Sequence, residues 1–191
     1  MPTESEPATV LVVDDEEEVA DVYALRLRNE YETRVAYGGE EAMERLDADV
    51  DIVLLDRRMP TLSGDDVLEQ IRETEYDCRV IMLTAVDPGL DIVEMPFDDY
   101  LCKPVEKEAL VDAIEQQLQV KRYDKRLSQY LEVTSKLALL ESELPPQELE
   151  DDEDLERLRN RAAELKESMD GMLEEFDEIE KSFRDIDRHP G

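Results

Sequence analysis

The sequence predicts an α/β domain built on a parallel sheet, continued by an all-α tail of long helices. Three observations lead there. Five short apolar runs alternate with segments of helical periodicity, the pattern of strand–helix–strand units. From Glu106 onward a helical pattern runs without Pro or Gly as far as Pro145-Pro146. Beyond those prolines, apolar residues recur at strictly alternating spacings of three and four. The length of 191 residues suits one ordinary domain plus an appendage, and an apolar content of 41% is enough for a core.

Residues 8–14, ending in Val12-Val13-Asp14, form a continuous apolar run that suits a strand covered on both faces. Val19, Val22, Tyr23 and Leu27 follow at helical spacing. Residues 33–37 are the second strand candidate, closed by Gly38-Gly39, and Ala42, Met43 and Leu46 mark a short helix. Residues 51–56 are the third run. After a loop containing Pro60 and Gly64, Val67, Leu68 and Ile71 mark another helix. Residues 79–84 and 98–102 are the fourth and fifth runs; Pro88, Gly89 and Pro96 leave room between them for only a short helix.

The segment from Glu106 to Leu144 is about 39 residues, or ~58 Å as one helix. Pro145-Pro146 must end it. The seam after them is Leu155, Leu158, Ala162, Leu165, Met169, Met172, Phe176, Ile179, Phe183 and Ile186. Before them the beat is looser: Tyr123, Leu127, Tyr130, Thr134, Leu137 and Leu144 keep it, and Glu141 breaks it. The tail is therefore expected to fold back as an antiparallel hairpin, with an intermolecular coiled coil as the alternative. Residues 1–7 are expected to be disordered, 8–122 and 123–187 to be the two domains, and 188–191, with the lone His189, a frayed end.

The chain carries 53 acids against 22 bases, a net charge of −31, spread over both halves: −20 in residues 1–122 and −11 in 123–191. A basic stripe for phosphate backbones is missing, which weighs against direct nucleic-acid binding. No apolar run approaches the ~18 residues of a membrane span, and the polar, acidic start is unlike a secretory or transit signal. The expectation is a cytoplasmic protein. The spread of acids resembles proteins of halophilic archaea, where a Debye length of about 3 Å at 1 M salt screens self-repulsion. Cys78 and Cys102 fall at opposite ends of neighbouring strands. An offset of four residues, ~13 Å, is too far for a bridge, so two free thiols are expected.

Ligands of open parallel sheets bind beyond the carboxyl ends of the strands. There the sequence puts Asp14 and Asp15 after the first strand, Asp56 after the third, Thr84 at the fourth and Lys103 after the fifth. Three carboxylates suit a hard divalent cation, with water and a phosphate completing an octahedron. Lys103 would neutralise an oxyanion and Thr84 would donate to another phosphoryl oxygen. Any one of these residues alone is an ordinary cap or turn; five at the same ends of four strands is a pattern.

Residues 8–122 resemble the receiver domain of two-component response regulators. The matching pieces are Val12-Val13-Asp14-Asp15, Asp56-Arg57-Arg58-Met59-Pro60 with Gly64, Leu83-Thr84-Ala85 and Tyr100-Leu101-Cys102-Lys103-Pro104. The resemblance implies a flavodoxin-like doubly wound sheet of five parallel strands in the order 2-1-3-4-5. It implies that Asp56 is the phosphoacceptor, supplied by a histidine kinase. Mg²⁺ would be held by Asp14, Asp15, Asp56 and the backbone carbonyl of Arg58. Thr84 and Lys103 match the switch hydroxyl and the phosphate-contacting lysine, and Tyr100 the aromatic that turns inward with the switch. The segment from Thr84 to Lys103 is shorter than the family's, so the helix there is expected to be stunted and the usual dimer geometry altered. A homodimer stays open.

Residues ~120–185, with Ser135-Lys136-Leu137-Ala138 and Leu140-Glu141-Ser142-Glu143, resemble the HalX domain, a helical module that follows receivers in halophilic archaea. The implied function is a phosphorylation switch that gates a helical output module and regulates transcription through partners. It is not expected to be an enzyme in the usual sense. A direct DNA-binding factor is the alternative, against which stands the absence of a helix-turn-helix, zinc spacing or basic region. An aspartate-nucleophile phosphatase usually has a second acid two residues after the nucleophile, where this chain has Arg58.

Overall fold

The computed structural model describes residues 7–144 and 152–185, with side chains as far as Met172. The expectations for residues 1–6, the Pro145-Pro146 turn and residues 186–191 lie outside the described residues, as do the side chains of Phe176, Ile179 and Phe183. The elements run β1 (Thr9–Val13), α1 (Glu17–Leu27), β2 (Glu32–Ala36), α2 (Gly39–Arg45), β3 (Val50–Leu55), α3 (Gly64–Glu73) and β4 (Arg79–Thr84). A 3-10 turn (Leu90–Glu94), β5 (Asp99–Cys102), α4 (Lys107–Glu143) and α5 (Glu153–Asp185) follow. Contacts divide the described chain into two compact units, one up to Leu118 and one over Gln119–Asp185.

The first unit is a five-stranded parallel sheet in the order β2-β1-β3-β4-β5, the order that the receiver resemblance implies. Alternation along the strands splits its core in two. Val10, Val12, Ile52, Leu54, Ile81, Leu83 and Leu101 face α1 and the start of α4. Leu11, Val13, Val53, Leu55, Val80, Met82 and Cys102 face α2 and α3. With both faces covered, the central strands read as unbroken apolar runs. Order reverses at β1, which pairs with β2 on one side and β3 on the other, so the crevice opens beyond the ends of β1 and β3.

One local expectation needs correction. In α1 the buried residues are Ala20, Tyr23, Ala24 and Leu27, whereas Val22 is 46% exposed. The helix uses small alanines to approach the sheet closely, so the larger valine sits off the stripe. The Leu90–Glu94 turn is short, as the prolines imply, and exposes Leu90 and Val93. α3 begins with a capping box: Ser63 Oγ accepts the Asp66 N–H, and Asp66 reaches back to the Ser63 N–H. The opening turns of α4 bury Leu110, Ala113, Ile114 and Leu118, with Gln117 donating to the Asp98 carbonyl. Cys78 and Cys102 form no disulfide, and both are buried.

In the second unit, α4 continues to Glu143 without a break and α5 runs antiparallel to it. Arg126 Nη1 donates to Met172 Sδ at 3.0 Å, and Arg159 pairs with Glu141 at 3.0 Å. These two contacts fix the direction, because the partner number falls as the other rises. Leu155, Leu165 and Met169 are buried, and Leu127, Tyr130, Thr134 and Leu137 are half-buried. The hairpin is thus the arrangement within the chain. Glu141, the residue that breaks the beat, leaves the seam to pair with Arg159.

Candidate functional site

The sheet ladder runs one residue past β1 and β3 and so carries two carboxylates to the rim. The Asp14 N–H donates to the Ala36 carbonyl at 3.1 Å, and the Asp56 N–H to the Val13 carbonyl at 2.9 Å. At the next pair of strands, the Lys103 N–H donates to the Thr84 carbonyl at 2.8 Å. One carboxylate oxygen from each of Asp14, Asp15 and Asp56 lies within 4.8 Å of the others. Asp14 and Asp56 are buried and Asp15 is exposed, so the group opens to solvent on one side.

Lys103 closes the buried side. Its ammonium donates to Asp56 Oδ1 at 3.0 Å and to Asp14 Oδ2. The remaining oxygens accept backbone N–H groups: Asp14 Oδ1 from Glu16 at 3.0 Å, Asp56 Oδ2 from Arg58 at 2.9 Å. Burial holds the Asp56 carboxyl above its ordinary pKa; Lys103 opposes the shift and neighbouring Asp14 adds to it. Burial alone would lower the Lys103 ammonium, but its hydrogen bond to Asp14 and the charge of Asp56 carry it above its usual value. No buried side-chain N or O atom among the described residues lacks a partner.

Gly64 sets how the loop after β3 returns. A Cβ there would lie 2.1 Å from the Asp56 carbonyl oxygen and 2.7 Å from the Arg57 Cα. Only glycine lets α3 start so close beneath the phosphoacceptor candidate. Thr84 is 1% exposed, and its hydroxyl accepts the Val86 N–H at 3.3 Å. Tyr100 is buried and its hydroxyl donates to the Val86 carbonyl at 2.7 Å, so Thr84 and Tyr100 meet through one residue. Of the sequence-derived set, the structure gathers Asp14, Asp15, Asp56 and Lys103 directly. Arg58 enters through its N–H, while its side chain is exposed.

Sequence reasoning missed Arg57. Its guanidinium grips Asp65 at 3.0 Å and also pairs with Asp91, in the short turn. Arg57, Arg58, Ser63, Asp65, Val86 and Asp91 line a recess of about 550 Å³ beside the carboxylate group. Nothing in the sequence marks that pairing, since Asp91 is one acid among many and lies 34 residues away.

A doubly wound sheet with acids at its switch point and a lysine across from them defines the receiver class. The chain belongs to the response regulator receiver domain family, whose model matches residues 10–115, and a HalX domain follows at 119–187. It is 43% identical, over 94% of its length, to a Haloferax volcanii protein described as a candidate transcriptional regulator. The chain spans about 32% of that protein. A CheY-like receiver from Methanospirillum hungatei superposes with a TM-score of 0.58 at 24% identity, covering 63% of this chain and 99% of that one. TrrA of Thermotoga maritima, solved with Mg²⁺ and beryllium fluoride, gives a TM-score of 0.50 at 30% identity, covering 57% and 97%. No helix among the described residues is long and apolar enough to cross a membrane.

Proposed function

We propose that this chain is the phosphoacceptor of a two-component relay, taking a phosphoryl group from a histidine kinase onto Asp56. What carries the reading is the Lys103 ammonium held between Asp14 and Asp56, with Asp15 open to solvent beside them. An Asp56 oxygen attacks phosphorus, the bond to the donor nitrogen breaks, and the nitrogen leaves with the electron pair. Asp56 suits that task because burial raises its basicity, and because Lys103 and the Arg58 N–H fix both of its oxygens. Lys103 remains to pair with the transferred phosphoryl oxygens, and the Thr84 hydroxyl donates to another.

The donor set fits Mg²⁺: hard carboxylate oxygens, two of them fixed by hydrogen bonds and one open to solvent. Asp14, Asp15, Asp56 and the Arg58 carbonyl would hold it. Bound there, Mg²⁺ supplies positive charge against the phosphoryl oxygens. The product is a signalling state, read by the helical module; the working division is a receiver at 8–122 and an output domain at 123–187. The Haloferax relative's description supports a role in transcription. At −11 the tail repels phosphate backbones, which favours a protein intermediary over direct DNA contact, inside the cytoplasm.

The test is acetyl phosphate with Mg²⁺ in molar KCl, read by intact mass. One phosphoryl group should add to the wild type, and none in EDTA or in Asp56→Asn. Labelling that survives Asp56→Asn would assign the wrong acceptor.

A further inference from the structure

The geometry points to a positioning role for Arg57: we infer that it ties the Leu90–Glu94 turn to the loop after Asp56 and thereby holds Tyr100 in its buried rotamer. The inference rests on the phosphoacceptor reading and adds to it a residue outside the acid–lysine set.

Arg57 is immediately after Asp56, yet its side chain leaves the carboxylate group altogether. Nε donates to Asp65 Oδ1 at 3.0 Å and Nη2 to Asp65 Oδ2 at 3.2 Å, a two-pronged grip on the first turn of α3. Nη2 also reaches Asp91. The guanidinium is the buried member of this trio, its side chain 13% exposed against 46% for Asp65 and 56% for Asp91. Three segments are thus joined at one planar cation, which a lysine could not reproduce.

The turn has few other anchors. None of its five residues is buried and no side chain caps its start. Only Ile92 inside it, with Met95 and Phe97 after it, packs partly on the core. Phe97 in turn lies 5.5 Å from the Tyr100 ring. The Tyr100 phenol also sits beside the Arg57 guanidinium, which works against the upward push of burial on that phenol. A continuous path results. The Thr84 hydroxyl accepts from the Val86 N–H, the Val86 carbonyl accepts from Tyr100, and Tyr100 adjoins Arg57 and the turn that Asp91 anchors. A half-exposed ion pair contributes little to global stability. On a turn with so few anchors it acts locally, on where Tyr100 rests. Whatever biases Tyr100 then changes the affinity for a phosphoryl group sensed by Thr84.

The experiment titrates Mg²⁺-beryllofluoride into the full chain in molar KCl. It compares Asp91→Asn, Asp91→Glu, Tyr100→Phe and the double variant Asp91→Asn/Tyr100→Phe. Asp91→Asn should weaken binding about fivefold. Its melting temperature should stay within about 2 °C of wild type. Asp91→Glu should bind as wild type does. On the Tyr100→Phe background, Asp91→Asn should add nothing. Unchanged affinity in Asp91→Asn, or the same fivefold loss without the Tyr100 hydroxyl, overturns the inference. If the wild type itself fails to bind, the phosphoacceptor reading falls instead. The positioning claim is then decided by fluorotyrosine NMR without any phosphoryl mimic. Asp91→Asn must move the Tyr100 resonance, assigned by its loss in Tyr100→Phe; an unmoved resonance refutes it.

Discussion

Residue for residue, the sheet unit and the helical hairpin bear the same electrostatic load, with unequal cores among the described side chains. Residues 1–122 carry −20 and residues 123–191 carry −11, about one excess acid for every six residues in each. The sheet unit answers with two layers of buried side chains, one on each face. Among the described side chains of the hairpin, only Leu155, Leu165 and Met169 reach comparable burial. At ~1.5–3 kcal/mol for each fully buried large apolar side chain, the difference in reserve is large. It also explains where chemistry can be placed. Two buried carboxylates and a half-buried ammonium are expensive features, and the unit with two core layers is the one that holds them.

The sharpest way to break that comparison is Leu165→Asp. A carboxylate at the buried Leu165 position should cost ~3–5 kcal/mol and melt the hairpin, while the sheet unit keeps its melting transition. Circular dichroism and hydrogen exchange separate the two; unchanged helicity would mean the seam is not buried. Next is Gly64→Ala, which presses a methyl group onto the Asp56 carbonyl. We expect ~2–3 kcal/mol lost from the sheet unit alone and phosphoryl acceptance impaired, by urea melts and mass labelling. Lowering KCl from molar to ~0.1 M lengthens the Debye length from about 3 to about 10 Å. With equal charge density and fewer buried residues among the described side chains, the hairpin should unfold first, so melts followed by hydrogen exchange should split into two steps. A single shared step at every salt concentration would count against the difference in reserve.

Smaller effects test the site. Asp56 is held above its ordinary pKa, so the folded state keeps that proton longer than the unfolded chain does. The resulting penalty is absent below the unfolded carboxyl's pKa and grows as pH rises through the raised folded value. Without metal, Asp56→Asn should therefore stabilise the sheet unit at neutral pH, with the gain fading as pH falls into the ordinary carboxylate range. Thermal melts across pH check the sign. Smallest of all is Val22→Thr on α1, which should shift stability by less than about 0.5 kcal/mol because that side chain is half out of the core.

Val22 also marks the limit of what the sequence discloses. The central strands were legible because burial on both faces leaves the middle of each run apolar, and the acids and lysine stood out because they end those runs. A helix face built on Ala20 and Ala24 is quieter than its exposed valine, so periodicity in large residues misplaces the stripe. Asp98 is another case: it accepts from Arg72, Arg79 and the Val80 N–H, fixing the start of β5, yet it sits in an acid-rich chain where nothing distinguishes it. The same holds for Arg57. Pairings between distant charged residues depend on geometry that no local pattern encodes, whereas strands and seams are written in local patterns.

The two thiols turn this comparison into something that can be timed. Both cysteines of the chain are in the sheet unit, at 2% and 4% exposure, and residues 119–191 have none. Burial pushes the Cys102 thiol up, with Asp87 adding to the shift, so Cys102 offers little reactive thiolate while the sheet is intact. An alkylating reagent therefore acts as a stopwatch for the sheet alone: the label arrives at the rate at which β4 and β5 come apart, however often the helices open and close.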